Sequence, residues 1–128
     1  MLMELDFTKL DGLVAAVVQD ASTGRVLMVG FMNQAAFEKT VETGRVTFFS
    51  RSRNRLWTKG ETSGHWLNVS EISTDCDRDT LLIRAEVLGP GVCHHGYQSC
   101  FYRRLEQGRW QESEPRTFDP VSVYGGEA

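Results

Sequence analysis

The sequence predicts a single α+β domain, and three patterns indicate it. Residues 13–32 contain two apolar, β-branched runs around a polar turn, which is typical of a β-hairpin. The next segment, 34–43, has a helical apolar stripe between Asn33, a favourable N-cap, and Gly44, a favourable helix stop. Residues 81–87 then alternate between apolar and polar, as a strand with one buried face does.

Weaker patterns predict the remaining elements. Strands are expected at 46–49 and 67–72, and a second hairpin around 107–108. In the strand predicted at 26–32, both faces are apolar, so we expect it to be covered on both sides. Residues 115–128 have little pattern, and we expect them to form a mobile tail.

Length and composition limit the class of protein. The 128 residues fit one domain that spans the whole chain, and the net charge of -3 provides no general attraction to nucleic acid or membranes. The apolar run 13–18 is too short to cross a bilayer, and the N-terminus lacks the basic start of a signal peptide. Three cysteines in such a chain predict reduced thiols in the cytoplasm, and therefore metal binding or catalysis.

All three cysteines lie within residues 75–100. The glycine-containing loop between Cys93 and Cys100 can fold back so that both sulfur atoms face one point. With Cys76 they would provide three thiolates, which is typical of a catalytic zinc site with an open fourth position. His94 would then be a candidate proton carrier. The alternative is that the cysteines are only small buried apolar residues, since a C-x6-C spacing is a weaker signal than paired C-x2-C.

Three aspartates occupy alternate positions in the segment DCDRD. They are Asp75, Asp77 and Asp79. In an extended segment they would share one face while Cys76 pointed to the other, and carboxylate oxygens suit Mg²⁺. The alternative is a solvated polar edge. A calcium loop would have its terminal acid at Glu86, but Thr80 occupies the position that requires glycine, and the strand pattern that follows argues against it.

A basic cluster follows the strand predicted at 46–49. Its members are Arg51, Arg53, Arg55 and Lys59. Trp57 offers a stacking face within the cluster, and small residues after it, including Ser63, let backbone N–H groups approach an anion. Arginine forks match phosphate oxygens, so the segment predicts a phosphate or nucleotide site. The alternative is a solvated basic loop.

Four motifs together resemble one known family. They are QDASTGRVLMVGFMN, SRSRNRLWTKGETSGH, DCDRD and CHHGYQSCF. Their order and spacing over residues 17–103 are similar to those of phosphoribosyl-AMP cyclohydrolases. The resemblance implies zinc-dependent hydrolysis of the N1–C6 bond in the adenine ring of phosphoribosyl-AMP, the third step of histidine biosynthesis. It also implies a compact, mostly antiparallel α+β fold that is completed by homodimerisation.

The resemblance also assigns roles to individual residues. It implies that zinc is held by Cys93 and Cys100 together with Cys76 of the partner chain, and that the three aspartates hold magnesium. His94 and His65 match the catalytic histidines of the family. The residues expected to bind the nucleotide substrate are Arg51, Arg53, Lys59 and Ser63.

Two positions depart from the family pattern. His95 stands where threonine is usual, so it could bind metal or compete with His94, and Leu67 stands where glutamine is frequent. The pyrophosphohydrolase domain that is fused to some relatives is absent from this sequence, so only the ring-opening step is expected.

Two alternative functions are a zinc nucleoside deaminase and a non-catalytic metal-binding module. A zinc nucleoside deaminase would need H-x-E followed by P-C-x-x-C, and neither motif occurs. A non-catalytic zinc or calcium module that binds a partner would instead have a closed site with four protein ligands.

Overall fold

The structure, a computed structural model, describes residues 4–124 of the chain. Within this range the chain forms eight strands and two helices. Their bounds are β1 Val14–Asp20, β2 Val26–Met32, α1 Gln34–Thr43, β3 Thr47–Ser50, β4 Arg55–Thr58, β5 Leu67–Thr74, β6 Thr80–Val87, β7 Arg103–Glu106, β8 Arg109–Glu112 and α2 Pro120–Tyr124. None of the described helices combines the length and the apolar character needed to span a bilayer.

A four-stranded sheet forms the centre of the domain, in the order β2-β1-β6-β5. Both outer pairs are antiparallel, whereas β1 and β6 run parallel, with Val18 beside Ile83. The hairpins β3-β4 and β7-β8 are also antiparallel. The expectation of a small, mostly antiparallel α+β fold is therefore confirmed. The parallel pair at the centre was not predicted, because it joins segments more than 60 residues apart in the chain.

One face of the sheet carries the hydrophobic core. Leu27, Ile83 and Phe48 are almost completely buried there. Helix α1 covers this face and is joined to β3 through Thr40, whose hydroxyl donates to the Ala36 carbonyl (2.9 Å) and accepts from the backbone N–H of the first β3 residue (3.0 Å). This pair of bonds fixes the helix against the hairpin that follows it.

The opposite face of the sheet is open in the described chain. Val29 and Phe31 on β2 are 44% and 37% exposed, and Leu82 on β6 is 38% exposed. The register places these side chains on the same face. The prediction that both faces of β2 are covered is therefore wrong for the single chain, since β2 is an edge strand with one solvated face.

The caps of helix α1 agree with the sequence prediction. The side-chain oxygen of Asn33 accepts from the backbone N–H of Ala36 (2.9 Å), and Gly44 adopts a left-handed conformation (φ 73°) while its N–H bonds to the Thr40 carbonyl. Both ends of the helix are satisfied locally, so its bounds could be inferred from sequence.

The sequence predicted the second hairpin, but it did not predict the strand that the structure has in the basic segment. The basic segment contains a strand, β4, which pairs with β3 so that Trp57 lies beside Phe48. The second hairpin forms at the predicted place, where Gln107 and Gly108 both have positive φ, as a two-residue turn requires. Part of the predicted mobile tail, residues 125–128, lies outside the described range.

We expect Asn33→Ala to lower the free energy of unfolding by about 1 kcal/mol, because one helix N–H loses its acceptor. Chemical denaturation monitored by circular dichroism would measure the change. Asn33→Ser is the matched control, since its hydroxyl can still accept the bond, and it should stay within about 0.5 kcal/mol of wild type. Equal stability of the alanine and serine variants would contradict this role for the cap.

Candidate active site

The cysteine loop, residues 88–102, leaves the end of β6 and folds back onto the start of β2. The N–H of Cys100 donates to the Leu27 carbonyl (2.7 Å), and the hydroxyl of Ser99 donates to the carbonyl of Val26 (2.8 Å). Inside the loop, the N–H of Cys93 donates to the carbonyl of Tyr97 (3.1 Å). These bonds place the thiol of Cys100 within hydrogen-bonding reach of the Cys93 sulfur, as the spacing predicted.

The two thiols have opposite protonation behaviour. The hydrogen bond from Cys100 lowers the pKa of Cys93 to about 5, and a backbone N–H, that of His95 at 3.4 Å from the sulfur, adds to the effect. The same bond raises the pKa of Cys100. At neutral pH the pair therefore contains one thiolate and one thiol, and a thiolate is the form that binds soft metals.

Lys59 lies beside this cysteine pair. It follows β4 directly, and its N–H bonds to the Val46 carbonyl (3.0 Å), so the β3-β4 hairpin sets its position. The residue is only 8% exposed, and burial lowers the pKa of its ammonium group while the nearby cysteines act in the opposite direction. Within residues 4–124 no carboxylate lies within ion-pair distance of it. Lys59 is thus a buried lysine next to the cysteine pair.

A cavity of about 370 Å³ opens between the β3-β4 hairpin and the cysteine loop. Four of the residues predicted from sequence line it. They are Arg53, Lys59, Ser63 and His94. Trp57 and Arg55 of the basic cluster also line it, and Arg55 makes an exposed ion pair with Glu61 at 3.4 Å. The cavity is basic, contains an aromatic face and reaches the residue next to Cys93, and its size is typical of small-molecule sites.

His94 is the histidine that the structure brings to the cavity. Its ring lies 4.2 Å from the ring of His95, centroid to centroid. Desolvation, and then the charge of His95, lower the pKa of His94, so its imidazole is neutral at physiological pH and able to accept a proton. The departure at position 95 therefore places a second imidazole beside the predicted proton carrier.

Three other predicted positions lie away from this cavity. His65 is half-buried, with its Nδ1 3.0 Å from the Gly91 carbonyl and its ring edge-on to Phe118, so it supports the base of the cysteine loop. The guanidinium of Arg51 lies over Phe31, on the open face of the sheet. Leu67 is fully buried in the core, so its side chain cannot contact a substrate in the cavity.

The three aspartates lie in the turn between β5 and β6, and the segment is not extended as predicted. Arg78 has a positive φ of 60°, and one carboxylate oxygen of Asp75 accepts from the backbone N–H of Asp79 (3.1 Å) and of Thr80 (3.3 Å). The turn nevertheless brings one oxygen of each aspartate within 4.8 Å of the others. The predicted convergence of carboxylates is therefore present, and it arises from a turn instead of strand alternation.

A lysine from the N-terminal segment neutralises part of this cluster. The ammonium of Lys9 lies 2.9 Å from Asp79 and 3.9 Å from Asp77. The bond from Lys9 lowers the pKa of Asp79, which stays ionised. Nothing in the sequence pattern near Lys9 indicated this contact, because it joins residues about 70 positions apart.

One cavity-lining residue lies outside the four sequence motifs. Tyr124 lines the cavity from helix α2, within the segment that was expected to be a mobile tail. A signal was available, since an aspartate followed by proline, Asp119 and Pro120, is a typical helix start.

A pair of cysteines with one thiolate and one thiol, a neutral histidine and a basic cavity with an aromatic wall lie together on this small α+β domain. Such an arrangement is typical of an enzyme site. Comparison with known proteins specifies the family. The family model described as phosphoribosyl-AMP cyclohydrolase matches residues 28–102. The chain therefore belongs to the phosphoribosyl-AMP cyclohydrolase family and is an enzyme of that class.

Similar proteins cover most of the chain. It is 64% identical to the phosphoribosyl-AMP cyclohydrolase of Solibacter usitatus, over 98% of this chain and 100% of the relative. It is 48% identical to that of Pelobacter propionicus, over 96% and 98%. It is also 60% identical to the histidine biosynthesis bifunctional protein HisIE of Bacteroides thetaiotaomicron, over 82% of this chain and 51% of that longer protein.

Proposed function

We propose that this chain opens the adenine ring of 1-(5-phosphoribosyl)-AMP by zinc-dependent hydrolysis of the N1–C6 bond. The product would be the phosphoribosyl-formimino-AICAR-phosphate of the third step of histidine biosynthesis. The observation that carries the proposal is the position of the cysteine pair beside His94 and Lys59, both of which line the basic cavity; the family assignment supports it. Three unpaired cysteines also fit a reducing compartment, and we propose the cytoplasm.

The donor set fits zinc. Two sulfur atoms are already in contact, one of them as a thiolate, and thiolates prefer zinc over hard cations. Cys93 and Cys100 would hold the ion next to the cavity. When bound with an open position, such an ion makes water a nucleophile near neutral pH.

The chain's own residues would supply the remaining chemistry. Water adds at C6 and the C6–N1 bond breaks, so N1 must gain a proton. His94 is neutral and lines the cavity, which suits it to accept the proton of the water and to deliver one to N1. Arg53 and Lys59 would bind phosphate oxygens, while Trp57 offers a face for the adenine ring.

The third zinc ligand would come from a second copy of the chain. Cys76 precedes the start of β6, whereas Cys93 and Cys100 lie beyond its other end. Eight residues of strand separate them by on the order of 20 Å, far more than a zinc–sulfur bond of about 2.3 Å permits. Among the described residues, the only group of three potential ligands is the aspartate cluster. One chain by itself therefore provides two of the three thiolates.

The open face of the sheet supports a homodimer. Its exposed apolar side chains, Val29, Phe31 and Leu82, would be covered by a second chain. This would also restore the two-sided covering that the apolar pattern of β2 predicts.

The aspartate cluster fits magnesium, because three carboxylates converge and carboxylate oxygens are its preferred protein ligands. Asp75, Asp77 and Asp79 would hold the ion. When bound, it would supply positive charge for phosphate oxygens of the substrate. The ammonium group of Lys9 already binds the Asp79 carboxylate, so it would compete with a magnesium ion for that ligand.

The function is tested by following ultraviolet absorbance as purified protein turns over phosphoribosyl-AMP. We expect turnover of phosphoribosyl-AMP and not of AMP. Cys93→Ser should lose zinc, measured by atomic absorption, and at least roughly 100-fold of activity, while its melting temperature stays near that of wild type. Gln98→Ala is the control, since its side chain makes no hydrogen bond among the described residues. Full activity in zinc-free Cys93→Ser protein would overturn the zinc assignment.

Mixing two inactive variants tests the shared site. When Cys76→Ser and Cys93→Ser chains are unfolded together and refolded, each heterodimer has one site with all three cysteines. Random pairing should restore roughly a quarter of wild-type activity and zinc content. If all three ligands came from one chain, no activity would return, so an inactive mixture that contains heterodimers by native mass spectrometry would refute the arrangement.

Calorimetric titration with Mg²⁺ tests the aspartate cluster. Lys9→Met should bind Mg²⁺ up to roughly fivefold more tightly, because it removes a competing cation from an exposed site. Asp77→Asn should weaken Mg²⁺ binding by roughly tenfold or more. Loss of a residue that only hydrogen-bonds a metal ligand already has about that effect, and Asp77 would be a ligand itself. Lys39→Met, which removes a lysine without an ion pair in the described chain, should change nothing. Unchanged affinity in Asp77→Asn would mean that the cluster is only a polar turn.

A further inference from the structure

The C-terminal segment, residues 115–124, is attached to the cysteine loop by hydrogen bonds at three points. The backbone N–H of Thr117 donates to the carbonyl of Gly96 (2.8 Å), and its hydroxyl donates to the carbonyl of Pro90 (2.8 Å). The guanidinium of Arg116 donates to the carbonyl of His95 (2.9 Å). The segment is therefore positioned by the loop that carries the catalytic cysteines and His94.

Gly96 makes room for this attachment. A Cβ atom at Gly96 would lie 2.7 Å from the carbonyl oxygen of Phe118 and 2.9 Å from the ring of Pro120. Both distances are shorter than carbon contacts normally allow, and Gly96 also has a positive φ of 96°. The close approach buries Pro120, the first residue of α2. The start of the helix is thus held against the loop.

Helix α2 then directs Tyr124 to the cavity. Asp119 caps the helix, accepting from the N–H of Val121 (3.0 Å) and the hydroxyl of Ser122 (2.9 Å). Tyr124 is half-buried, and it lines the cavity together with Trp57 and His94. The centroid of its ring lies 6.5 Å from that of Phe118, and among the described residues it does not belong to the main hydrophobic core.

We infer that Tyr124 is a substrate-contacting residue whose ring packs against the nucleobase, so that the C-terminal segment forms part of the specificity pocket. The inference rests on the proposed function and deepens it. Its basis is the composition of the cavity wall, in which cationic side chains match phosphates, whereas the large flat faces of Trp57 and Tyr124 match an aromatic ring. The matched part of the family model ends at residue 102, well before Tyr124.

Substitutions at position 124 separate the ring from its hydroxyl. We expect Tyr124→Leu to raise the KM for phosphoribosyl-AMP roughly tenfold, as loss of a base–aromatic contact does, with kcat changed less than about threefold. Tyr124→Phe should stay within about twofold of wild type, because it keeps the ring. Val121→Ala is the control, since this exposed residue of the same helix does not line the cavity. Melting temperatures of all variants should match that of wild type.

Calorimetric titration with AMP and with ribose 5-phosphate shows whether Tyr124 contacts the base or the sugar phosphate. Tyr124→Leu should weaken binding of AMP roughly tenfold and leave binding of ribose 5-phosphate unchanged. Unchanged AMP binding, or equal weakening of both probes, would overturn the inference. If wild-type protein fails to turn over phosphoribosyl-AMP while AMP binding still depends on Tyr124, the proposed reaction fails and the base contact stands.

Discussion

Strand β6 holds the aspartate turn apart from the cysteine pair, and the arrangement of the proposed site depends on this separation. The strand is bonded on both sides, to β1 and to β5, so neither its length nor its register can adjust. Backbone bonds at its two ends, from Ala15 to Asp79 and from Ala21 to Ala85, fix it further. The aspartate turn and the cysteine loop consequently lie at opposite ends of one rigid element. The proposed three-cysteine zinc site would therefore need a second chain.

The cavity is assembled from three pieces that are distant in sequence. The β3-β4 hairpin supplies basic side chains and Trp57, the cysteine loop supplies His94, and the C-terminal segment supplies Tyr124. Lys59 joins the first two pieces, because it extends from the hairpin to a buried position beside the cysteine pair. Because these pieces pack on one another, a shift of one would alter the shape of the cavity wall that the others form.

Charge is arranged locally and not by overall excess. The net charge is only -3, yet positive side chains line the cavity while three carboxylates gather at the far end of β6. Each cluster has its own internal partner, Glu61 for Arg55 and Lys9 for Asp79. These partners limit the cost of holding like charges together before any ligand arrives.

Local sequence determined those features that arise from contacts between near neighbours. The bounds of α1 follow from Asn33 and Gly44, the β7-β8 turn from its glycine, and the cysteine contact from a short glycine-containing loop. The four long motifs likewise indicated the family that the comparisons then confirmed. In each case the residues that form the feature are close together in the sequence, so their spacing is enough to predict it.

Only the tertiary structure decided which distant segments meet. The parallel pairing of β1 with β6, the contact of Lys9 with Asp79 and the position of Tyr124 in the cavity leave no periodic trace in the sequence. The same holds for the placement of Arg51 on the open face and of His65 beneath the cysteine loop. Such contacts form only when the folded sheet brings together segments that are separated by long stretches of chain. The free energy that selects them comes from burial of the whole core, and no short stretch of sequence encodes it.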